Sequence, residues 1–171
     1  MPATENSLEI GVGTGRFAEA LKIRYGVDPA PKMLELARPR GIDTVLGYAE
    51  KLPFHNDTFD SVFMITTLCF VQDQDLALRE ASRVLKDDGI LVVAYIPSGS
   101  VLGKKYQKNK DENSFYRLAK FLTFFELSDK LEKSGFAIEQ TSQTLLTPSL
   151  SLGIESGYSN GSFVVVRAKK Q

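Results

Sequence analysis

The sequence predicts an α/β fold, with a doubly wound, mostly parallel sheet that has helices on both faces. Short apolar strand patterns alternate with helical patterns along the chain, as in repeated βαβ units. The runs at residues 60–65 and 90–96 are nearly continuous in apolar residues, which is typical of parallel strands covered on both faces. The first strand pattern runs directly into a glycine-rich turn, as expected where a strand turns sharply into a helix.

Seven strands follow from these patterns. The first ends in the glycine-rich turn, the second ends at Asp28, and the third is brief. The fourth and fifth are the strongest, and the last two follow the final helix. They are predicted at residues 7–10, 23–27, 44–46, 60–65, 90–96, 136–140 and 163–167.

Four helices connect these strands, at residues 16–21, from Pro31 onward, at residues 76–85 and from Thr123 to about Gly135. Pro31 is tolerated in a first helical turn because its missing N–H has no partner there. Thr123 and Glu126 have the spacing of a capping box, and Gly135 is a typical residue just beyond a helix end.

The stretch between the fifth strand and Thr123, at about residues 97–122, is longer than a plain connection. We expect a partly helical insertion that covers the strand ends and the substrate, within a single domain formed by residues 1–171. This stretch carries Tyr106, Phe115, Tyr116, Leu118 and Phe121. The lysines at positions 104, 105, 108 and 110 precede two acids and are expected on a solvated surface loop.

Composition excludes several classes of function. The chain has 21 basic and 21 acidic residues, so its net charge is zero and no basic face for nucleic acid is expected. It has one cysteine, which rules out an internal disulfide, and one histidine. No signal peptide is visible, and no apolar run reaches the ~18 residues of a membrane helix. We therefore expect a cytoplasmic protein that binds no membrane.

The glycine-rich turn is the most informative motif. Glycine at positions 11, 13 and 15 lets the backbone approach a ligand, and the following helix directs N–H groups towards it. A dinucleotide-binding turn needs its third glycine at position 16, which is Arg16. The nearest match to a phosphate-binding loop, at residues 99–105, has the wrong spacing and lacks a serine or threonine. Both phosphate-binding interpretations are weakened, although a nicotinamide-dependent oxidoreductase stays an alternative.

The run from Glu9 to Gly15 (EIGVGTG) resembles the first motif of class I S-adenosylmethionine-dependent methyltransferases of the small-molecule type. Four further stretches are similar to the same family in the same order along the chain. They are VDP at 27–29 followed by KML at 32–34, AEKLPF at 49–54 followed by FDSV at 59–62, the region from Arg79 to Leu91, and the region from Glu126 to Phe136.

This resemblance implies a Rossmann-like sheet of seven strands in the order 3-2-1-4-5-7-6, with the last strand antiparallel. It also implies S-adenosylmethionine as the cofactor. Glu9 would lie beneath the glycine turn, Asp28 would accept hydrogen bonds from the ribose hydroxyls, and Thr66 would lie near the methionyl end. The Ala49 N–H would bind adenine, with Glu50 beside it. The complete implied set of cofactor-binding residues is Glu9, Gly11, Gly13, Thr14, Gly15, Asp28, Pro29, Ala49, Glu50 and Thr66.

The chain departs from the family in two places. Tyr48 occupies the position before Ala49 where many members have an acid that contacts adenine. The first strand also begins about seven residues from the start of the sequence, so the usual N-terminal helices are shortened or absent. Three arrangements fit this second departure: a trimmed chain, loose cofactor binding, or a homodimer in which the partner closes the pocket.

No catalytic residue and no metal ligand is predicted. Methyl transfer from a sulfonium is an in-line displacement with an activated leaving group, so positioning can supply much of the acceleration. Residues 66–70 lack the motifs of nucleic-acid methyltransferases, which favours a small-molecule acceptor. Cys69 is interpreted as a packing residue, and His55 has no companion ligands for a metal. A non-catalytic module that binds S-adenosylmethionine is the second alternative.

Overall fold

The strands of the computed structural model form one sheet in the order β3-β2-β1-β4-β5-β8-β6-β7. The structure describes residues 6–109, 116–146 and 152–171. The strands are β1 Ser7–Ile10, β2 Tyr25–Asp28, β3 Asp43–Leu46, β4 Phe59–Ile65, β5 Leu85–Tyr95, β6 Phe136–Leu146, β7 Leu152–Ser156 and β8 Phe163–Lys170. The helices are α1 Arg16–Leu21, α2 Pro31–Ala37, α3 Gln74–Val84, α4 Val101–Lys108 and α5 Phe124–Lys133.

The predicted strand order is confirmed, and one strand is added at an edge. Strands β1 to β5 are parallel to one another, whereas β8 is antiparallel to both β5 and β6. The addition is β7, which pairs with residues 142–146 of a β6 that is longer than predicted. The order reverses between β1 and β4, and such a switch point is where open α/β sheets bind ligands, beyond the carboxyl ends of the strands.

The core forms two layers because alternate residues of each strand point to opposite faces of the sheet. One layer lies beneath α3 and α5 and contains fully buried residues of β1, β4, β5 and β8, among them Leu8, Met64, Leu91 and Val166. The other lies beneath α1 and α2 and contains Phe63, Ile65 and Ala94. On this second face a cavity of about 380 Å³ lies between α1 and strands β4, β5 and β8.

Local sequence signals set most helix ends. Pro31 occupies the first turn of α2, and the Thr123 and Glu126 side chains complete the predicted capping box of α5. Helix α3 begins at Gln74, earlier than predicted, because the Asp73 carboxylate caps it by accepting the Leu76 N–H at 2.9 Å. Among the described residues no helix is long and apolar enough to cross a membrane.

The junction of α3 and β5 differs from the prediction. Helix α3 ends at Val84, and β5 begins at Leu85 instead of residue 90. The pairing with β4 shifts register between Phe59 and Ser61, so residues 86–89 are absorbed as an irregularity of the strand. Asp88 has a φ of 61°, which allows this local reversal within the strand.

An ion pair on α3 fixes the loop between β3 and β4. The Arg83 guanidinium pairs with Glu80 at 2.6 Å and also donates to the carbonyls of Leu52 and Phe54 and to the side chain of Asn56. Glu80 in turn accepts the Leu52 N–H at 2.7 Å. Because Arg83 donates a hydrogen bond to Glu80, the pKa of the Glu80 carboxyl lies below its usual range. The loop that carries the AEKLPF stretch is therefore held against α3.

We expect Arg83→Ala to lower the free energy of unfolding by about 2 kcal/mol, since it leaves a half-buried carboxylate and two carbonyls without their donor. Urea unfolding at neutral pH measures this change. The matched control is Arg24→Ala, whose partner Asp43 and own side chain are both 58% exposed. That control should cost less than about 1 kcal/mol. Equal losses in the two variants would show that the Arg83 network does not stabilise the loop.

Candidate functional site

The glycine-rich turn folds back over the end of β2. The N–H groups of Gly11 and Val12 both donate to the Val27 carbonyl, at 2.8 and 3.1 Å. The Gly13 N–H donates to Oδ2 of Asp28 at 2.9 Å. The second oxygen of Asp28, Oδ1, accepts the Ala30 N–H at 2.9 Å, and the residue is only 9% exposed. Asp28 therefore fixes both the turn after β1 and the turn after β2.

The three glycines of the turn serve different purposes. A Cβ on Gly11 would overlap the Thr67 side chain, and a Cβ on Gly15 would overlap Ile42 and lie 3.0 Å from Cβ of Ala37. These two glycines are required by packing within the protein. A Cβ on Gly13 would meet nothing within 4 Å. Gly13 thus leaves its backbone beside open space, which is the arrangement that close approach of a ligand requires.

Glu9 is the most unusual side chain of the site. It is 1% exposed, and neither carboxyl oxygen has a hydrogen-bond partner among the described residues. Burial raises the pKa of Glu9 to about 8, and the nearby charge of Asp28 adds to the rise. The Ala18 N–H acts in the opposite direction, although its contact falls outside hydrogen-bonding geometry. An unpartnered buried carboxyl group is costly and is a recognised mark of a functional site.

The segment after β4 forms the facing wall of the turn. Thr66 has a φ of 56°, an uncommon conformation for a β-branched residue, and its N–H donates to the Ala94 carbonyl at 2.8 Å. The next residue, Thr67, packs on Gly11 and donates to the Ile65 carbonyl at 3.1 Å. Strained backbone of this kind is concentrated at functional sites. A 3₁₀ turn, Leu68–Phe70, follows.

The remaining predicted residues lie around the same strand ends. The carbonyl of Thr14 accepts a hydrogen bond from Arg40 at 3.0 Å, and Pro29 is exposed next to Asp28. Ala49 is half-buried against the core. The Glu50 carboxylate accepts the N–H groups of Gln72 and Asp73 at 2.9 and 3.3 Å, so it links the loop after β3 to the start of α3.

Comparison with known proteins identifies the family. The model of the methyltransferase domain matches residues 8–93, which contain the glycine turn, Asp28 and the segment after β4. The chain belongs to the methyltransferase domain family.

Three relatives extend this match beyond the domain model. An uncharacterised protein of Methanocaldococcus jannaschii is 37% identical over 166 residues, which cover 95% of this chain and 81% of that protein. An uncharacterised protein of Mycobacterium tuberculosis is 41% identical over 142 residues, 82% of this chain, and the chain spans only 50% of its length. A crystal structure from Thermotoga maritima is 44% identical, with a TM-score of 0.93, and the match covers 97% of this chain and 82% of that one. It is described as a methyltransferase dependent on S-adenosylmethionine and as a possible histamine N-methyltransferase.

Two contacts around the glycine turn are not predicted from the sequence. Arg40 holds the Thr14 carbonyl and pairs with Glu19 of α1, which fixes the far side of the glycine turn. Thr67 supplies the surface against which Gly11 packs. No sequence pattern predicts that Arg40, in the short segment between α2 and β3, contacts the glycine turn. Thr67 could have been suspected, since it immediately follows Thr66 at the end of a predicted strand.

We expect Gly15→Ala to destabilise the fold more than Gly13→Ala. Both changes place a side chain at positive φ, which costs roughly 1–2 kcal/mol. Only Gly15→Ala also forces a methyl group into Ile42 and Ala37, which should add roughly 1–3 kcal/mol. Urea unfolding of the two variants measures the difference. Equal losses would mean that the packing around Gly15 can relax and that the distinction between the glycines is wrong.

The stability of the protein should depend on Glu9 in a defined pH window. Its pKa is about 8 in the folded state and near 4.5 when unfolded, so between these values only the folded state keeps the proton. The contribution of Glu9 to stability is therefore fully present below about pH 4.5 and falls by roughly 1.4 kcal/mol per pH unit up to about pH 8. We expect Glu9→Gln to abolish this slope.

Urea unfolding of wild type and Glu9→Gln at matched pH values tests this expectation. The two proteins should have similar stability at about pH 4 and diverge as the pH rises, with the variant more stable. Parallel pH profiles would show that Glu9 titrates normally in the folded protein.

Proposed function

We propose that this chain binds S-adenosylmethionine at the glycine turn and transfers its methyl group to a small-molecule acceptor. The observation that carries the proposal is the environment of Gly13, whose backbone faces open space while its N–H is fixed by Asp28. The Thermotoga maritima structure, which is 44% identical and described as dependent on S-adenosylmethionine, supports the choice of cofactor.

The residues at the strand ends suit the parts of this cofactor. An ionised carboxylate has about four acceptor positions, and Asp28 uses two of them on backbone N–H groups, which leaves acceptors for two ribose hydroxyls. In this proposal Gly11, Gly13, Thr14 and Gly15 pack their backbone on the methionyl part, with Thr66 near its end. Pro29, Ala49 and Glu50 lie on the adenosine side. The carboxyl of Glu9 beneath the turn has no hydrogen-bond partner among the described residues, and a positively charged ligand bound beside it would lower its raised pKa and favour its ionised form.

When bound, S-adenosylmethionine would supply a sulfonium methyl group for in-line transfer to a nucleophilic atom of the acceptor, with the thioether sulfur of S-adenosylhomocysteine as the leaving group. The protein contributes position and the exclusion of water, and orientation alone can be worth roughly 7–11 kcal/mol in favourable cases. Cys69 does not act as a nucleophile, because burial raises the pKa of its thiol to about 11 and so keeps it protonated. No dedicated base is needed in this mechanism.

The two alternative functions differ from the proposed one in the cofactor that is bound or in whether a methyl group is transferred. The match to a methyltransferase domain argues against a nicotinamide-dependent oxidoreductase. A module that binds S-adenosylmethionine without transfer would show cofactor affinity but would release no S-adenosylhomocysteine in the presence of acceptors.

We expect wild type to bind S-adenosylhomocysteine in a calorimetric titration and Asp28→Ala to bind it at least about tenfold more weakly, since ribose acceptors and the tether of Gly13 are both lost. Gly13→Ala should weaken binding by a similar factor because its methyl group fills the space left for the ligand.

Asp43→Ala is the matched control, because this acid lies at the start of β3 and pairs only with exposed Arg24 among the described residues. Its affinity should stay within about twofold of wild type. Unchanged affinity in Asp28→Ala and Gly13→Ala, or binding of NADH in place of S-adenosylhomocysteine, would contradict the proposed function.

A further inference from the structure

Four aromatic side chains cluster beyond the carboxyl ends of β4 and β5. Phe70 ends the 3₁₀ turn after β4, Tyr106 lies on α4, and Tyr116 and Phe121 lie in the segment before α5. The rings of Tyr106 and Tyr116 are stacked, with centroids 4.5 Å apart and planes inclined by 16°. The Tyr116 ring is also 6.1 Å from Phe70 and 6.0 Å from Phe121. We call these four residues the aromatic wall.

The aromatic wall is fixed to the same edge of the sheet as the glycine turn. The Lys120 N–H donates to the Cys69 carbonyl at 2.7 Å, and the Ser98 N–H donates to the Leu122 carbonyl at 2.9 Å. The buried Gln74 amide donates to the carbonyls of both Leu68 and Lys120. Residues 116–122 are therefore bound to the segments that follow β4 and β5.

Only a short stretch of chain separates the two features. Thr67 packs on Gly11 of the glycine turn, and Phe70 of the aromatic wall lies three residues further along. The wall therefore borders the switch-point edge, where ligands of open α/β sheets bind. Its rings are half-buried, apart from Phe70, which is 37% exposed. Accessible aromatic rings gathered beside a site are surfaces on which a flat ligand can stack.

The charges around the aromatic wall limit the kind of ligand. Residues 97–125 contain six basic residues and two acids, Asp111 and Glu112. The basic side chains in the described part of this segment are Lys104, Lys105, Lys108, Arg117 and Lys120. The three lysines of α4 are exposed, and none of them forms an ion pair with a described carboxylate. An excess of basic over acidic groups gives a positive potential that attracts anions and disfavours cations.

The Tyr116 hydroxyl adds no negative charge. Burial raises the pKa of Tyr116, and the neighbouring hydroxyl of Tyr106 and the Cys69 thiol raise it further. Tyr116 therefore stays protonated at neutral pH and offers the wall a neutral ring and a hydroxyl group.

We propose that the aromatic wall holds the methyl acceptor, and that this acceptor is a planar aromatic molecule that carries a negative charge. The proposal rests on the proposed function, because it names the class of substrate for the same site.

Saturation-transfer NMR with a fragment set built as matched triplets tests the proposal. One triplet is benzoate, benzylamine and cyclohexanecarboxylate, and others carry the same groups on fused rings. Each set is measured with and without S-adenosylhomocysteine. In wild type we expect the aromatic acids to bind about threefold or more tightly than the saturated acids and the aromatic amines. A threefold difference in affinity corresponds to the free energy of about one contact between aromatic rings.

Three variants locate this preference. Tyr106→Leu should abolish the preference for aromatic over saturated acids, whereas Tyr106→Phe should keep it because the ring remains. Phe125→Leu is the matched control, since it removes an exposed ring of α5 whose partners are Phe124 and Tyr158. Phe121→Leu provides a second change in the wall if Tyr106→Leu does not fold.

The outcomes are distinguishable. Equal binding of aromatic and saturated acids to wild type, no binding of any aromatic acid, or the same loss in Phe125→Leu would overturn the aromatic wall as the acceptor site. Preference for aromatic amines over aromatic acids would overturn the assignment of charge. Selective binding of aromatic acids by a protein that does not bind S-adenosylhomocysteine would instead refute the proposed function.

Discussion

The carboxylate of Asp28 at the end of β2 determines the geometry of the whole site. It holds the Gly13 N–H, while the preceding carbonyl of Val27 accepts two further N–H groups of the turn. Since β1 and β2 are adjacent parallel strands, these bonds force the chain to fold back across the strand end before α1 begins. The turn then lies between Thr67 on one side and Ile42 on the other, and in both directions only glycine fits. The open space at Gly13 follows from this restraint.

The sequence predicts the parts of this arrangement that depend on local pattern. Continuous apolar runs identify β4 and β5, and the strand order follows from the family resemblance. The spacing of Thr123 and Glu126 predicts a capping box that the structure contains. Strand β7 is not predicted from the sequence because its five residues include a glycine and it forms a strand only by pairing with β6.

Contacts between distant segments were beyond local patterns. The backbone partners of Glu50 and the carbonyls held by Arg83 are set by where the loop after β3 meets α3. The family resemblance predicts Glu50 beside adenine. In the structure its carboxylate accepts the N–H groups of Gln72 and Asp73 and so joins two segments of the chain. A motif residue can therefore be identified from sequence while the reason for its identity becomes visible only when its hydrogen bonds are known.

The segment after β4 connects the two halves of the proposed reaction. Thr67 packs on Gly11 and so supports the glycine turn. Phe70 belongs to the aromatic wall, and the Cys69 carbonyl anchors that wall by accepting the Lys120 N–H. Because the backbone of this segment is tied at Thr66 to β5 and at Gln72 to Glu50, its position does not depend on the aromatic side chains. In the proposed arrangement, rings could then be exchanged while the cofactor contacts stay in place. This separation would give a physical reason why one methyltransferase scaffold can serve different acceptors: the cofactor would be held mainly by backbone fixed at strand ends, and the acceptor by side chains that the backbone carries.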